Sequence, residues 1–164
     1  MRKNILCCFI FYTILGLFLS SAYATDLTDH NYIIEPKEPY EIKEPWIQAV
    51  PPSEHNTAAY MVIENKGNSE LVLENVAMGI ARVVEIHKME RINGIMKMSM
   101  LKNIKIPAKG KVVFAPGGYH LMLIDLIRPL KRGELIGLNL MFKDMPGMEV
   151  TFTVQDSPED QNGH

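Results

Sequence analysis

The chain has 164 residues with 17 basic and 19 acidic side chains, and its formal net charge at pH 7 is −2. This balance argues against nucleic acid as a partner, because phosphate binding requires a clustered basic surface and the sequence contains none. The length suits a single domain with a real hydrophobic core.

The first two dozen residues have the features of a secretory signal peptide. Arg2 and Lys3 give a positive start, a continuous apolar run follows, and residues 22–24 (Ala-Tyr-Ala) have the small-x-small form of a cleavage site. The run is shorter than the roughly 20 residues that span a bilayer, and an uncleaved anchor is the alternative. We therefore predict a signal peptide at residues 1–24, a periplasmic location and no stable membrane anchor after its removal.

Both cysteines, Cys7 and Cys8, lie in this segment, so the rest of the chain contains no thiol. In an oxidising compartment this excludes disulfides, thiol catalysis and metal centres that require thiolate. A lipid anchor is not expected, because the cysteines do not follow the apolar run. Without residues 1–24 the chain keeps 15 basic and 19 acidic side chains, a net charge of −4.

Residues 25–40 and 156–164 are polar and contain proline, which predicts an N-terminal extension and a flexible tail. Between them, residues 41–155 alternate apolar and polar side chains at period two, the pattern of half-buried antiparallel strands. The predicted strands cover residues 40–50, 58–65, 70–77, 82–91, 95–101, 111–115, 119–126, 135–142 and 148–155.

Short turn signals rich in glycine, proline and asparagine separate these strands. Seven to nine short strands spaced in this way predict an all-β Greek-key sandwich or barrel, cupredoxin-like or immunoglobulin-like. Pro45 and the pair Pro51-Pro52 predict that the first strand is at an edge or interrupted, because proline cannot donate to a β-ladder.

The stretch EIHKMERINGIMKMSM, residues 85–100, predicts a hairpin that presents several metal-capable side chains. Asn93-Gly94 is a strong signal for a two-residue turn with positive φ at both positions. This turn pairs residues whose numbers sum to 187, so Met89 faces Met98 and His87 faces Met100. Since side chains two apart share a face, these four project from the same side of the hairpin.

The stretch PGGYHLML, residues 116–123, places two further donors on one side of a strand. His120 and Met122 are two residues apart, and Gly117 and Gly118 shape the preceding turn. The sequence does not establish that this strand meets the hairpin. A methionine-rich core with two incidental histidines is the alternative, because methionine commonly fills irregular cores.

If the two regions meet, two imidazoles and two thioethers form a soft, uncharged donor set that suits Cu(I) better than zinc, calcium or magnesium. Blue-copper electron transfer requires a cysteine ligand and is excluded. His30, His55 and His164 are expected to be solvated. Met145 and Met148 are expected in partial core packing rather than in copper capture.

The order His87, ten residues, Met98, twenty-one residues, His120, one residue, Met122 resembles the signature of the periplasmic copper chaperone family PCuAC. The likeness extends over roughly residues 42–155 and includes GIMKM and IPAKGKVVFAPGGYHLMLIDLIRPLKRGE. Lys88 departs from a commonly acidic position, and Glu44-Pro45-Trp46 replaces a more usual Asp-Ala-Trp.

The resemblance implies a cupredoxin-like domain that holds Cu(I) with His87, Met98, His120 and Met122, and Met89 as an auxiliary sulfur. It also implies delivery to the binuclear copper centre of cytochrome c oxidase subunit II, in this family often alongside a Sco-type thioredoxin-like protein. We expect a metallochaperone and not an enzyme. The alternatives are a periplasmic copper buffer, a copper-dependent redox protein and a metal-free module that binds another protein.

Overall fold

A computed structural model describes residues 39–157, and this part of the chain consists of ten β-strands joined by turns. The predicted signal peptide and nearly all of the predicted extension and tail lie outside the described residues, so the division into segments remains a prediction. Within residues 39–157 no helix is long and apolar enough to cross a membrane. The strands are β1 (Tyr40–Gln48), β2 (Thr57–Asn65), β3 (Leu71–Met78), β4 (Ala81–Ile92), β5 (Ile95–Leu101), β6 (Ile104–Ile106), β7 (Lys111–Phe114), β8 (Tyr119–Leu126), β9 (Leu135–Phe142) and β10 (Met148–Gln155).

The strands form one hydrogen-bonded sheet in the order β5-β4-β8-β7-β2-β1-β10-β9-β3-β6, and β8 also pairs with β2. Most neighbours are antiparallel, whereas β1 runs parallel to β10. Strands that follow one another in the chain are often separated in the sheet, which is the mark of a Greek-key connection. The all-β, cupredoxin-like fold predicted from the sequence is confirmed.

The core is built from the inward positions of nearly every strand. On β8, Leu121 and Leu123 are fully buried, while their neighbours His120 and Met122 point to the other face. The face that carries His120 and Met122 does not point into the apolar core, although His120 is itself buried there and Met122 is half-buried. Other fully buried side chains are those of Ile47, Ile63, Leu73, Leu138, Leu140, Phe152 and Val154.

The first strand is interrupted, which confirms the prediction, made from Pro45, that it is at an edge or interrupted. The register of β1 against β2 shifts between Lys43 and Trp46, and Glu44 has a φ of 50°. The proline sits in this bulge, where no ladder bond is required of it. Beyond the bulge, β10 pairs with the other side of β1 from Trp46 onward, and the stretch before the bulge pairs with β2.

The sequence pattern missed β6, which makes ten strands and not seven to nine. Ile104–Ile106 is a three-residue strand between Asn103 and Pro107, too short to display an alternation. It pairs with the start of β3 and buries both of its isoleucines.

The predicted hairpin is present with the predicted register. Asn93 and Gly94 have φ values of 52° and 82°, and β4 and β5 pair from Ile92 opposite Ile95 onward. Two consecutive residues with positive φ define the type I′ turn, whose twist matches that of the strands it joins. The turn therefore fixes which side chains of β5 face His87.

Candidate metal centre

Strand β4 lies between β5 and β8, and this arrangement brings the two histidines together. His87 is directly opposite Met100 on β5 and directly opposite His120 on β8. The three side chains therefore form a row across the face that is turned away from Ile86 and Leu121. This meeting of the hairpin with β8 is the spatial relationship that the sequence left open.

The neighbouring rows hold the other predicted donors. Met89 is opposite Met98 on one side of the histidine row, and Glu85 is opposite Met122 on the other side. His87, Met89, Met98, His120 and Met122 thus lie on one face of three adjacent strands. The structure gathers the whole predicted set, and its role as a ligand set remains a prediction.

The two imidazoles are close and shielded from solvent. Their ring centroids are 5.7 Å apart with an interplanar angle of 71°. His120 is 6% exposed, and the His87 side chain is 12% exposed. Two imidazoles this close together are near enough for one nitrogen of each to bind the same ion.

The contacts of His87 indicate which of its two ring nitrogens carries the proton. Nε2 lies 2.7 Å from Oε2 of Glu85, and an ionised carboxylate only accepts, so Nε2 carries the proton and donates. Nδ1 is buried and has no hydrogen-bond partner among the described residues. A buried acceptor left unpaired is costly, and a metal ion beside Nδ1 would satisfy it. A carboxylate behind a ligand histidine is the usual outer partner of protein metal sites.

His120 is oriented by the backbone of the preceding turn. Its Nδ1 donates to the carbonyl of Gly118 at 3.1 Å, which leaves Nε2 with the free lone pair. The same carbonyl accepts the backbone N–H of Met89 at 2.9 Å, so the turn also ties β4 to β8. Gly117 has a φ of 75°, as its predicted role in the turn requires, whereas Gly118 contributes its carbonyl and no positive φ.

Burial lowers the pKa of His120 below its ordinary value of 6.5. The hydrogen bond to Gly118 opposes this shift, and the nearby His87 ring adds to it. Burial therefore favours the neutral imidazole of His120, the form whose lone pair is available to a metal ion.

The methionine side chains beside the two histidines differ in their exposure to solvent. Met89 and Met122 are half-buried, whereas Met98 is 52% and Met100 is 60% exposed. Met100 is outside the predicted ligand set, although it faces His87 more directly than Met98 does. Among the described residues, no three His, Cys, Asp or Glu side chains lie together so as to hold a metal ion.

Glu85, which contacts the ring of His87, is a candidate positioning residue that the sequence pattern did not single out. Its spacing from His87 is two residues, so the period-two rule that grouped the donors also placed this carboxylate on their face.

Three of the other predictions concern residues outside this face. His55 is exposed, as predicted, and Met145 and Met148 pack partly buried against the core, as predicted.

The family model named LpqE-like, with the full description "Putative lipoprotein LpqE-like", matches residues 40–154. The chain belongs to the LpqE-like family. A relative from Leifsonia xyli subsp. xyli, named "Putative lipoprotein Lxx21020", is 29% identical over 117 residues, which cover 71% of this chain and 69% of that protein. Cys7 and Cys8 lie outside the described residues of this LpqE-like chain, so the expectation that they carry no lipid stays a prediction.

Solved structures similar to this LpqE-like domain are PCuAC domains. The copper-bound PCuAC domain from PmoF2 has a TM-score of 0.61 at 23% identity and covers 73% of this chain and 94% of its own. Apo-DR1885 from Deinococcus radiodurans is 33% identical with a TM-score of 0.59, covering 74% of this chain and 81% of its own. A Cu(I) form of DR1885 matches at 32% identity and a TM-score of 0.58 over 73% and 78% of the two chains. The described domain therefore has the PCuAC fold.

Proposed function

We propose that this protein is an exported Cu(I)-binding chaperone and not an enzyme. His87, Met98, His120 and Met122 are the proposed ligands, with Met89 as an auxiliary sulfur. The observation that carries the proposal is the unpaired, buried Nδ1 of His87 beside the ring of His120, on a face lined by thioethers.

The chemistry of the donor set favours Cu(I) over other ions. Imidazole nitrogen and thioether sulfur are uncharged, and thioether sulfur is soft, a combination that suits Cu(I). Calcium and magnesium require several oxygen ligands, and zinc sites are built from cysteine, histidine and carboxylate. The relatives PmoF2 and DR1885 have been solved with copper bound, which supports the same cargo here.

A neutral site without thiolate also suits delivery. No proposed ligand carries a negative charge that would strengthen its hold on the ion, and the thioethers on β5 are exposed to solvent. An acceptor that offers thiolate would bind Cu(I) more strongly and could displace these ligands one at a time.

The acceptor we propose is the binuclear copper centre of cytochrome c oxidase subunit II, with a Sco-type thioredoxin-like protein as co-chaperone. Support comes from the signature shared with the PCuAC family and from the PCuAC fold. The signal-like residues 1–24 and the lipoprotein descriptions of the relatives support export to the periplasm.

An anaerobic Cu(I) titration against a chromophoric chelator tests the binding function. We expect one Cu(I) per chain at the histidine site, and affinity at least tenfold lower in His120→Ala and in Met122→Ala. Met148→Leu, which removes a sulfur packed against the core, is the matched control and should bind as the wild type does. Equal affinity in all four proteins would remove the proposed site.

A second assay separates a carrier from the alternatives. A carrier loses its Cu(I) to a dithiol acceptor peptide and shows no turnover with dioxygen or an organic reductant. Retention of Cu(I) against the dithiol would favour a copper buffer, and turnover would favour a redox protein.

A further inference from the structure

Strand β5 exposes three methionines, although methionine is ordinarily a core residue. Met96, Met98 and Met100 are 44%, 52% and 60% exposed, and their period-two spacing places all three on the histidine face. Core packing does not explain side chains in this position. The proposed ligand set uses one of the three.

We propose a second, thioether-only Cu(I) position formed by Met89, Met96 and Met98, through which the ion enters the histidine site. This inference rests on the proposed function and deepens it, because it states how the cargo is taken up. The three residues are called the thioether triad below.

The hairpin register brings the triad together. Met89 and Met98 are directly opposite, a position in which Cβ atoms are about 4.5–5.5 Å apart. Met96 is two residues from Met98 on the same strand, roughly 7 Å along it, and diagonal to Met89. Methionine has three rotatable side-chain bonds, so three sulfurs placed in this way can reach one ion.

The surroundings of the triad suit brief occupancy. Three neutral thioethers favour a soft monovalent ion without releasing a proton. Arg91 is exposed and directly opposite Met96, and its positive charge lowers the affinity of the triad for a cation. The thioether triad is therefore a weak outer position, which releases its ion readily to the stronger histidine site, the inner position.

Met98 connects the two positions. It faces Met89 in the triad, and it is diagonal to His87 in the adjacent row. Passage inward breaks the bond to the sulfur of Met96 and forms bonds to Nδ1 of His87, Nε2 of His120 and the sulfur of Met122, while the bond to Met98 persists. Met89 stays beside the ion as the auxiliary sulfur. The oxidation state of copper does not change, and no proton is taken up or released.

The first test observes the outer position alone. In the full chain carrying His87→Ala and His120→Ala, with methionine methyl groups labelled with ¹³C, Ag(I) serves as a soft, redox-inert probe. We expect the methyl signals of Met89, Met96 and Met98 to shift, and those of Met141 and Met148 to stay in place. An unmoved Met96 signal in the folded double variant would overturn the proposal.

The second test leaves the histidines intact, so it does not depend on the double variant folding. Met96→Leu keeps the apolar area and removes the sulfur. We expect it to slow Cu(I) loading from a chelator, followed by stopped flow, at least threefold, with equilibrium affinity within twofold of wild type. Met148→Leu should load at the wild-type rate.

The outcomes separate three explanations. A wild-type loading rate in Met96→Leu would overturn the entry position. If Met96→Lys then impaired transfer to an acceptor protein, the exposed methionines would be a protein-docking surface. If the wild type and the double histidine variant bound Cu(I) with equal affinity, the proposed function would be refuted. The result for the thioether triad would not be affected by that outcome, because it is measured separately.

Discussion

His87 on β4 and His120 on β8 are directly opposite in the sheet, and their rings meet edge to face with centroids 5.7 Å apart. The pairing depends on β4 lying between its hairpin partner β5 and the distant strand β8. One strand thereby supplies a histidine that faces a thioether on one side and an imidazole on the other. Both rings lie on the face opposite the core side chains of Ile86 and Leu121.

Glu85 should set the affinity for Cu(I) by holding the ring of His87. Glu85→Ala removes the acceptor of the Nε2 proton, so Nδ1 is no longer fixed as the free nitrogen. We expect Cu(I) affinity to fall roughly 10-fold or more, in the range typical of outer partners of metal ligands. Chelator competition measures the change, and Glu85→Gln, which retains an acceptor oxygen, should lose less.

Glu90 provides the matched control for that experiment. Its carboxylate is on the same strand but on the opposite face, bonded to Lys88 at 2.6 Å. Glu90→Ala should therefore bind Cu(I) as the wild type does. Identical affinities in Glu85→Ala and Glu90→Ala would refute the positioning role.

The apo protein should lose stability in mild acid because His120 is buried as the neutral imidazole. The unfolded chain takes up a proton at this residue near pH 6.5, whereas the folded state resists until its lowered pKa is reached. In this window the unfolded state binds more protons, so the free energy of unfolding falls as pH falls. Below the folded-state pKa this contribution levels off.

Denaturation between pH 7.5 and 5, together with NMR titration of the ring, measures this dependence in the metal-free chain. His120→Gln should show a smaller loss of stability over the same range. His87 is the titratable neighbour in ring contact, and Glu85 holds that ring in place. A ring of His120 that titrates at or above pH 6.5 would contradict its burial as the neutral form.

Gly94 should be required for the register of the hairpin. It has a φ of 82°, and a Cβ added there would meet nothing within 4 Å, so Gly94→Ala introduces backbone strain without a clash. A non-glycine residue in this conformation costs about 1–2 kcal/mol, measurable by chemical denaturation. Gly79→Ala, also free of clashes but without positive φ, is the control. Equal stabilities would show that the turn does not depend on glycine.

Substitutions at two adjacent residues of β8 should affect stability and copper binding separately. Leu121 is fully buried, and Leu121→Ala should lower the free energy of unfolding by about 2–5 kcal/mol. Met122 is half-buried on the other face, so Met122→Ala should cost less stability and more Cu(I) affinity. Thermal denaturation and chelator competition on both variants check this, and a reversed order of effects would contradict the division of faces.

Local sequence patterns predicted the structural features that depend on residues close together in the chain. Asn93-Gly94 fixed the turn and the pairing of Met89 with Met98, and period-two alternation predicted most strands. Pairings between distant strands carry no such signal, so the position of β8 beside β4 and of β10 beside β1 required the structure. Glu85 was not predicted, because a carboxylate is not a preferred ligand of Cu(I) and its contact with His87 is visible only in the structure.

X-ray absorption at the copper K-edge of the Cu(I)-loaded protein tests the central claim most directly. We predict a first shell of mixed nitrogen and sulfur donors, with the nitrogen contribution halved in His120→Ala and the sulfur contribution reduced in Met122→Ala. A shell of oxygen or nitrogen alone, or a spectrum that both substitutions leave unchanged, would contradict a copper site at His87 and His120.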